Sequence, residues 1–142
     1  MALVELLGAK VASKNGEVDV ATISADNDVV GIYFSAHWCP PCRMFTPALG
    51  DYYNKLRSSG KKFEIVFVSS DRDEGAAAEY FGSMPWLMVP FADRQRKDTL
   101  ASKYSVSGIP TLVLVKAKSA ETVTKEGRKT VSEDPEGEFC KP

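Results

Sequence analysis

Three runs of strand length in this chain are apolar at nearly every position: 29–34 (Val-Val-Gly-Ile-Tyr-Phe), 63–68 (Phe-Glu-Ile-Val-Phe-Val) and 111–115 (Thr-Leu-Val-Leu-Val). A strand with one wet face alternates polar and apolar residues. A run without alternation is covered on both faces, which calls for helices above and below the sheet. Between the first two runs the chain supplies such a helix. Over 40–58, Met44, Phe45, Ala48, Leu49, Tyr52 and Leu56 recur at three- and four-residue spacing, and Ser58-Ser59-Gly60 ends the pattern. Strand, helix, strand, helix and further strands give an α/β fold with a central mixed sheet flanked by helices.

The rest of the chain fits this frame. Residues 17–23 alternate after the Lys14-Asn15-Gly16 turn and read as a half-exposed strand, an N-terminal extension of the sheet. Residues 73–82 read as a helix with Ala76, Ala77, Tyr80 and Phe81 inward. Residues 84–91 hold two prolines and read as an extended, irregular link. Asp93 caps a helix running to Tyr104. A last strand is expected at 121–125, and the charged stretch 128–142 is expected to be loosely structured. With 142 residues and no repeat or linker, the chain reads as a single domain, 1–142.

Charge and composition remove several function classes. Lys and Arg total 18 against 19 Asp and Glu, a formal charge of -1, so there is no field to hold nucleic acid or an anionic membrane. The apolar runs fall short of the ~20 residues of a membrane helix, and the opening Met-Ala-Leu-Val-Glu lacks the basic start of a signal peptide. A cytoplasmic or nuclear place is expected. The three cysteines, Cys39, Cys42 and Cys140, are too few and odd in number for a secreted disulfide framework.

Cys39-Pro40-Pro41-Cys42 stands where the first buried strand hands over to the long helix, at the carboxyl end of a strand, where α/β sheets place their active groups. A thiol attacks a disulfide only as thiolate, and a helix N-terminus favours that anion through unpaired N–H groups and a partial positive charge. Cys39 would cap the helix and face solvent. The two prolines are tolerated there, yet they remove two N–H donors, so the expected help to the thiolate is modest. Cys42, one turn on, would be the deeper, resolving thiol. Trp38 would shield one side of the sulfur, Arg43 would add positive charge, and Pro47 would kink the helix.

Other readings of these residues stay open at this point. A zinc site would need His37 and Cys140 to complete Cys39 and Cys42, but the spacing of His37 and Cys39 chelates poorly and no second Cys-x-x-Cys exists. His37 reads as an exposed loop residue and Cys140 as a passive tail cysteine. Ile109-Pro110, just before the third run, is either a simple strand start or a cis bond that exposes the Ile109 backbone to an extended peptide. Trp86, Leu87 and Phe91 form an apolar ledge or core, and Arg128 is a rim charge or a solvated one. No Gly-x-Gly-x-x-Gly fingerprint is present, so no flavin or nicotinamide cofactor is expected.

Trp-Cys-x-x-Cys at a helix start, a proline five residues after the second Cys, and Ile-Pro-Thr before a strand resemble the thioredoxin superfamily. More narrowly, Tyr-Phe-Ser-Ala-His-Trp-Cys-Pro-Pro-Cys-Arg, Val-Phe-Val-Ser-Ser-Asp, Met-Pro-Trp-Leu-Met-Val-Pro-Phe and Asp-Pro-Glu-Gly resemble the tryparedoxin and nucleoredoxin family. The resemblance spans about 31–138. It implies a thioredoxin-like fold and a thiol–disulfide oxidoreductase with Cys39 as nucleophile, Cys42 as resolver, a Cys39–Cys42 redox disulfide and a cis Pro110. It implies disulfide-containing proteins as substrates, peroxiredoxins among them, and an external low-molecular-weight dithiol as electron donor; a flavoprotein reductase is the other donor weighed, and a monomer is expected. The alternative from a different class is a redox-sensitive regulator that binds a signalling or client protein with little turnover. Two departures stand out. Thioredoxins carry a buried Asp six residues before the first Cys. Here Tyr33 stands at that place, so water, Glu74 or Asp71 would have to move the proton of Cys42, unless Asp71 only caps the next helix. The chain also ends in Glu138-Phe139-Cys140 where the family has a Trp-containing finish.

Overall fold

The computed structural model describes residues 2–142. The elements in chain order are α1 (Ala2–Leu7), β1 (Lys10–Ser13), β2 (Gly16–Asp19), α2 (Val20–Asp26), β3 (Val29–Ser35), α3 (Pro40–Ser58), β4 (Phe63–Ser69), α4 (Glu74–Phe81), β5 (Leu87–Met88), α5 (Arg94–Lys103), β6 (Thr111–Lys116), β7 (Thr122–Thr124) and α6 (Gly127–Glu133). The strands form one sheet in the order β2-β1-β5-β4-β3-β6-β7. β3 pairs parallel with β4 and antiparallel with β6, and all seven of its residues are buried.

The period-two geometry of strands splits the core into two layers. Val29, Tyr33, Ile65, Phe67, Leu112 and Leu114 face a layer closed by Leu49, Tyr53 and Leu56 of α3 and by Ala77, Tyr80 and Phe81 of α4. Val30, Ile32, Phe34, Val66, Val68, Val113 and Val115 face the other layer, closed by Leu3 and Leu7 of α1, Ile23 of α2 and Leu100 of α5. The mixed sheet flanked by helices is therefore as expected from the three apolar runs.

Three local expectations are corrected. The strand expected over 17–23 stops at Asp19, and Val20–Asp26 is helical. Val20, Ile23, Ser24 and Asn27 are buried at helical spacing, and that periodicity outweighs the β-branched composition. The link at 84–91 contains the short strand β5, which bridges β4 to the β1–β2 hairpin. The stretch 128–142 is not loose. It forms α6, the Tyr52 hydroxyl donates to the Asp134 carbonyl at 2.6 Å, and the Asp134 carboxylate accepts the amides of Glu138 and Phe139 at 2.9 and 3.0 Å. Phe139 packs on the α3 side of the core and Cys140 is buried in it.

α6 is held on β6 by a close approach at its first residue. A Cβ on Gly127 would lie 2.6 Å from the Leu112 side chain and 2.7 Å from its carbonyl oxygen. Gly50, inside α3, has nothing within 4 Å of the same point. Gly127→Ala is therefore expected to destabilise the fold by about 1–3 kcal/mol through overpacking. Gly50→Ala is expected to stabilise it by up to about 1 kcal/mol through helix propensity. Urea denaturation midpoints of the two variants, moving in opposite directions, check this.

Candidate active site

The site is assembled where the parallel strands β3 and β4 end. The Ser70 amide donates to the Ser35 carbonyl at 2.9 Å, tying the two exits together. The loop before Cys39 is then fixed by groups from beyond β4. Asp71 is buried, its Oδ1 accepts the His37 amide at 2.8 Å and its Oδ2 accepts the Ser69 hydroxyl at 2.7 Å. The Trp38 indole N–H donates to the Ser70 carbonyl at 3.0 Å. Asp71 is thus not the cap of the following helix. That role belongs to Asp73, whose Oδ1 accepts the Ala76 amide at 2.8 Å. Glu74 is exposed on the first turn of α4.

Cys39 is the N-cap of α3, with Pro40 and Pro41 in the first turn. Its sulfur accepts the Cys42 amide at 3.3 Å, so the cap bond goes to the residue that the prolines leave with a donor. Its Sγ lies 3.8 Å from the carbonyl oxygen of Ile109. The Ile109–Pro110 bond is cis. Cys39, Cys42, Ala36 and Ile109 form a small apolar cluster of their own. Cys39 is only 4% exposed, so it meets solvent through a narrow opening instead of standing free, and Cys42 is 0% exposed. Both thiols are free. Burial, with the hydrogen bond to Cys39, pushes the Cys42 thiol up, while Ser35 and the Ala36 backbone pull it down. That difference in access suits one attacking and one resolving sulfur.

The other candidate residues separate sharply. Trp38 is half exposed, with the Arg72 guanidinium 5.8 Å from its ring. Arg43 is exposed and donates to the His37 carbonyl at 3.1 Å. Arg128, at the start of α6, reaches the Pro110 carbonyl at 3.4 Å and stands over the Phe45 ring, which puts it beside the cis proline. Trp86 is not on a rim. It is 2% exposed and sits edge-on between Tyr33 and Tyr53 in the core, where its width fills the space between α3 and the sheet. His37 is half-buried, not exposed, and its ring stacks on Tyr80 with centroids 5.1 Å apart. α3 runs unbroken through Pro47. No cluster of metal-ligating side chains occurs among the described residues, and Cys140 lies in the core against Lys62.

Sequence reasoning misses Ser35, Thr46 and the role of Tyr80. The Tyr33 hydroxyl meets Thr46 Oγ1 at 2.7 Å, Thr46 Oγ1 meets the Tyr80 hydroxyl at 2.6 Å, and the Tyr80 hydroxyl meets Ser35 Oγ at 2.8 Å. The available signal is register. Ser35 follows Tyr33 by two on β3, and Thr46 follows Cys42 by four on α3, so each shares a face with a residue already singled out.

A dithiol at a helix cap, facing a cis-proline loop on a seven-stranded mixed sheet, defines a protein of the thioredoxin class. Comparison with known proteins agrees. A family profile described as thioredoxin-like matches residues 26–122. The chain is 43% identical to a nucleoredoxin of Danio rerio over 123 residues, which is 87% of this chain and 29% of the relative. Crystalline tryparedoxin I from Crithidia fasciculata superposes with a TM-score of 0.88 at 44% identity, covering 97% of this chain and 95% of the other. A tryparedoxin II complexed with glutathionylspermidine matches at 35% identity and a TM-score of 0.88, over 97% and 96% of the two chains. The chain belongs to the thioredoxin-like family, among the tryparedoxins and nucleoredoxins. It spans 29% of the length of the nucleoredoxin.

Burial, reinforced by the charge of Asp28, pushes the Cys140 thiol up to about 11. An unfolded cysteine loses its proton near 8.5. Between those values the unfolded chain binds fewer protons than the folded one, so stability falls as pH rises through the window. Under reducing conditions, wild type is expected to lose more stability than Cys140→Ala between about pH 8.5 and 11. Denaturation midpoints of the pair across that range check it, and parallel curves would contradict it.

Proposed function

We propose that this protein is a protein-disulfide reductase working through the Cys39-Pro40-Pro41-Cys42 dithiol. The observation that carries the reading is Cys39 capping α3 with the Cys42 amide on its sulfur and the resolving thiol buried directly behind it. Cys39, as thiolate, attacks one sulfur of a substrate disulfide. The old bond breaks, one substrate sulfur leaves with its electron pair, and a mixed disulfide remains on Cys39. Cys42 then attacks Cys39, releasing the second substrate sulfur and closing the Cys39–Cys42 disulfide. Trp38, half exposed and next to Cys39 in the chain, offers an apolar face to a partner chain, and Ile109 offers a carbonyl.

An external reductant reopens the disulfide. The similarity to a tryparedoxin complexed with glutathionylspermidine supports a small thiol of that chemical kind as donor, with Arg128 beside Pro110 as a rim contact. A flavoprotein reductase is the other donor class, and peroxiredoxins are the proposed recipients. The protein acts as a monomer in the cytoplasm or nucleus, with no cofactor of its own.

Insulin reduction tests this reading, with dithiothreitol, glutathione, trypanothione, or thioredoxin reductase and NADPH supplied in turn. Wild type is expected to turn over with at least one donor, and Cys39→Ser is expected to abolish it. Cys42→Ser is expected to accumulate mixed disulfides visible by intact mass. Absence of thiol-dependent turnover with every donor would overturn the reductase reading. It would favour the redox-sensitive binding regulator suggested by the similarity to nucleoredoxin.

A further inference from the structure

The resolving thiol has a buried proton to lose and no carboxylate beside it. Tyr33 occupies the place where thioredoxins carry a buried Asp, and neither substitute carboxylate reaches Cys42. Both oxygens of Asp71 serve His37 and Ser69, and Glu74 is exposed. The groups facing Cys42 are Cys39 from its own helix, Ser35 and Tyr33 from β3, and Tyr80 from α4. None of the three groups contributed by β3 and α4 is charged at neutral pH.

Those neutral groups form a continuous chain. Ser35, fully buried, pulls the Cys42 thiol down, in the sense that favours its thiolate, and the Thr46 hydroxyl donates to the Cys42 carbonyl at 2.9 Å. Ser35 Oγ is 2.8 Å from the Tyr80 hydroxyl, and the Tyr80 hydroxyl is 2.6 Å from Thr46 Oγ1. Tyr80 and Thr46 both line a surface hollow of about 250 Å³ that they share with His37, Arg43, Pro47 and Ser83. The hydroxyls therefore connect a buried thiol to a place that water and small bases can enter. Ser35 and Tyr80 are each both donor and acceptor, which a relay requires, while Thr46 accepts and donates its own hydrogen to the Cys42 carbonyl.

We propose that Ser35, Tyr80 and Thr46 form the proton exit for Cys42, with Ser35 and Tyr80 carrying the proton and Thr46 acting through Tyr80 as a positioning residue. The inference rests on the dithiol reading above. As Cys42 attacks the mixed disulfide, its proton passes to Ser35 Oγ while the Ser35 proton passes to Tyr80, and the Tyr80 proton passes to water in the hollow that Tyr80 itself lines, with Thr46, whose own hydroxyl donates to the Cys42 carbonyl at 2.9 Å, holding the Tyr80 hydroxyl in place. The Cys42–Cys39 sulfur bond forms, the Cys39–substrate bond breaks, and its electron pair leaves on the substrate sulfur, which takes a proton from solvent when its basicity requires one. Each hydroxyl ends neutral. Burial pushes the Tyr80 hydroxyl up, in keeping with a relay that never holds the charge.

Reaction of the reduced protein with 5,5′-dithiobis(2-nitrobenzoate) separates the two steps, because attack by Cys39 releases one chromophore and attack by Cys42 releases the second. Cys42→Ser must abolish the second release; if it does not, the dithiol reading itself fails. With that control in place, Tyr80→Phe keeps the ring on His37 and removes only the hydroxyl. It is expected to leave the first release within about twofold and to slow the second about a hundredfold near pH 7, the lower end of a positioned proton transfer. Ser35→Ala is expected to do the same, and Thr46→Val to do so more weakly. The deficit is expected to close as pH rises toward 10, and added imidazole is expected to narrow it. A second release unchanged in Tyr80→Phe and Ser35→Ala, or slowed by one factor at every pH and untouched by imidazole, would overturn the relay while leaving the dithiol reading standing.

Discussion

Every feature of the site depends on one backbone constraint: a helix that begins at the carboxyl end of a buried strand leaves its first amides without partners. In α3 the first two of those amides are removed outright by Pro40 and Pro41, and the next goes to the sulfur of Cys39. The same cap bond therefore starts the helix, orients the sulfur, and places Cys42 one turn below it. A serine or aspartate could cap as well; a cysteine there also makes the cap a nucleophile. The position is secured from three directions: by the turn after β4 through Ser70 and Asp71, by the cis-proline loop through Ile109, and by α6 through Arg128 on Pro110.

A buried resolving thiol has no direct way out for its proton. Cys42, in the first turn of α3, lies in a small apolar cluster, where a thiolate is disfavoured, yet attack requires one. A buried carboxylate solves that problem with a charge. The hydroxyls of Ser35, Tyr80 and Thr46 offer a solution without one, and they keep the layer between the sheet and α3 uncharged. Tyr33 serves the same layer: its ring packs on Phe45, Phe67 and Trp86, and its hydroxyl ends on Thr46.

How much of this is legible in the sequence follows from the range of the forces involved. The runs at 29–34, 63–68 and 111–115 announce the sheet because burial on both faces leaves almost no polar residue in the pattern. The Cys39 cap and the 40–58 helix are legible because caps and periodicity are local. What escapes the sequence is tertiary. Val20–Asp26 resembles a strand because its β-branched residues weigh on composition, while its buried positions repeat at helical spacing. The tail at 128–142 reads as loose because its charges face solvent, whereas Gly127, Asp134, Phe139 and Cys140 fasten it to α3 and β6. Trp86 is left open between a ledge beside the cysteines and core, since nothing in 84–91 says which side of the sheet will receive it. Ser35 and Thr46 go unnoticed because small hydroxyls carry no pattern until their partners are known.

The account stands on Cys39 and Cys42 forming one redox pair from which Cys140 is excluded. Peptide mapping by mass spectrometry, on protein equilibrated with a glutathione redox buffer and then alkylated in denaturant, measures that directly. The predicted result is a single disulfide linking Cys39 to Cys42, forming and disappearing with the buffer's poise, with Cys140 alkylated throughout. A disulfide that engages Cys140, or a stable glutathione adduct on Cys39 with Cys42 left free, would contradict it.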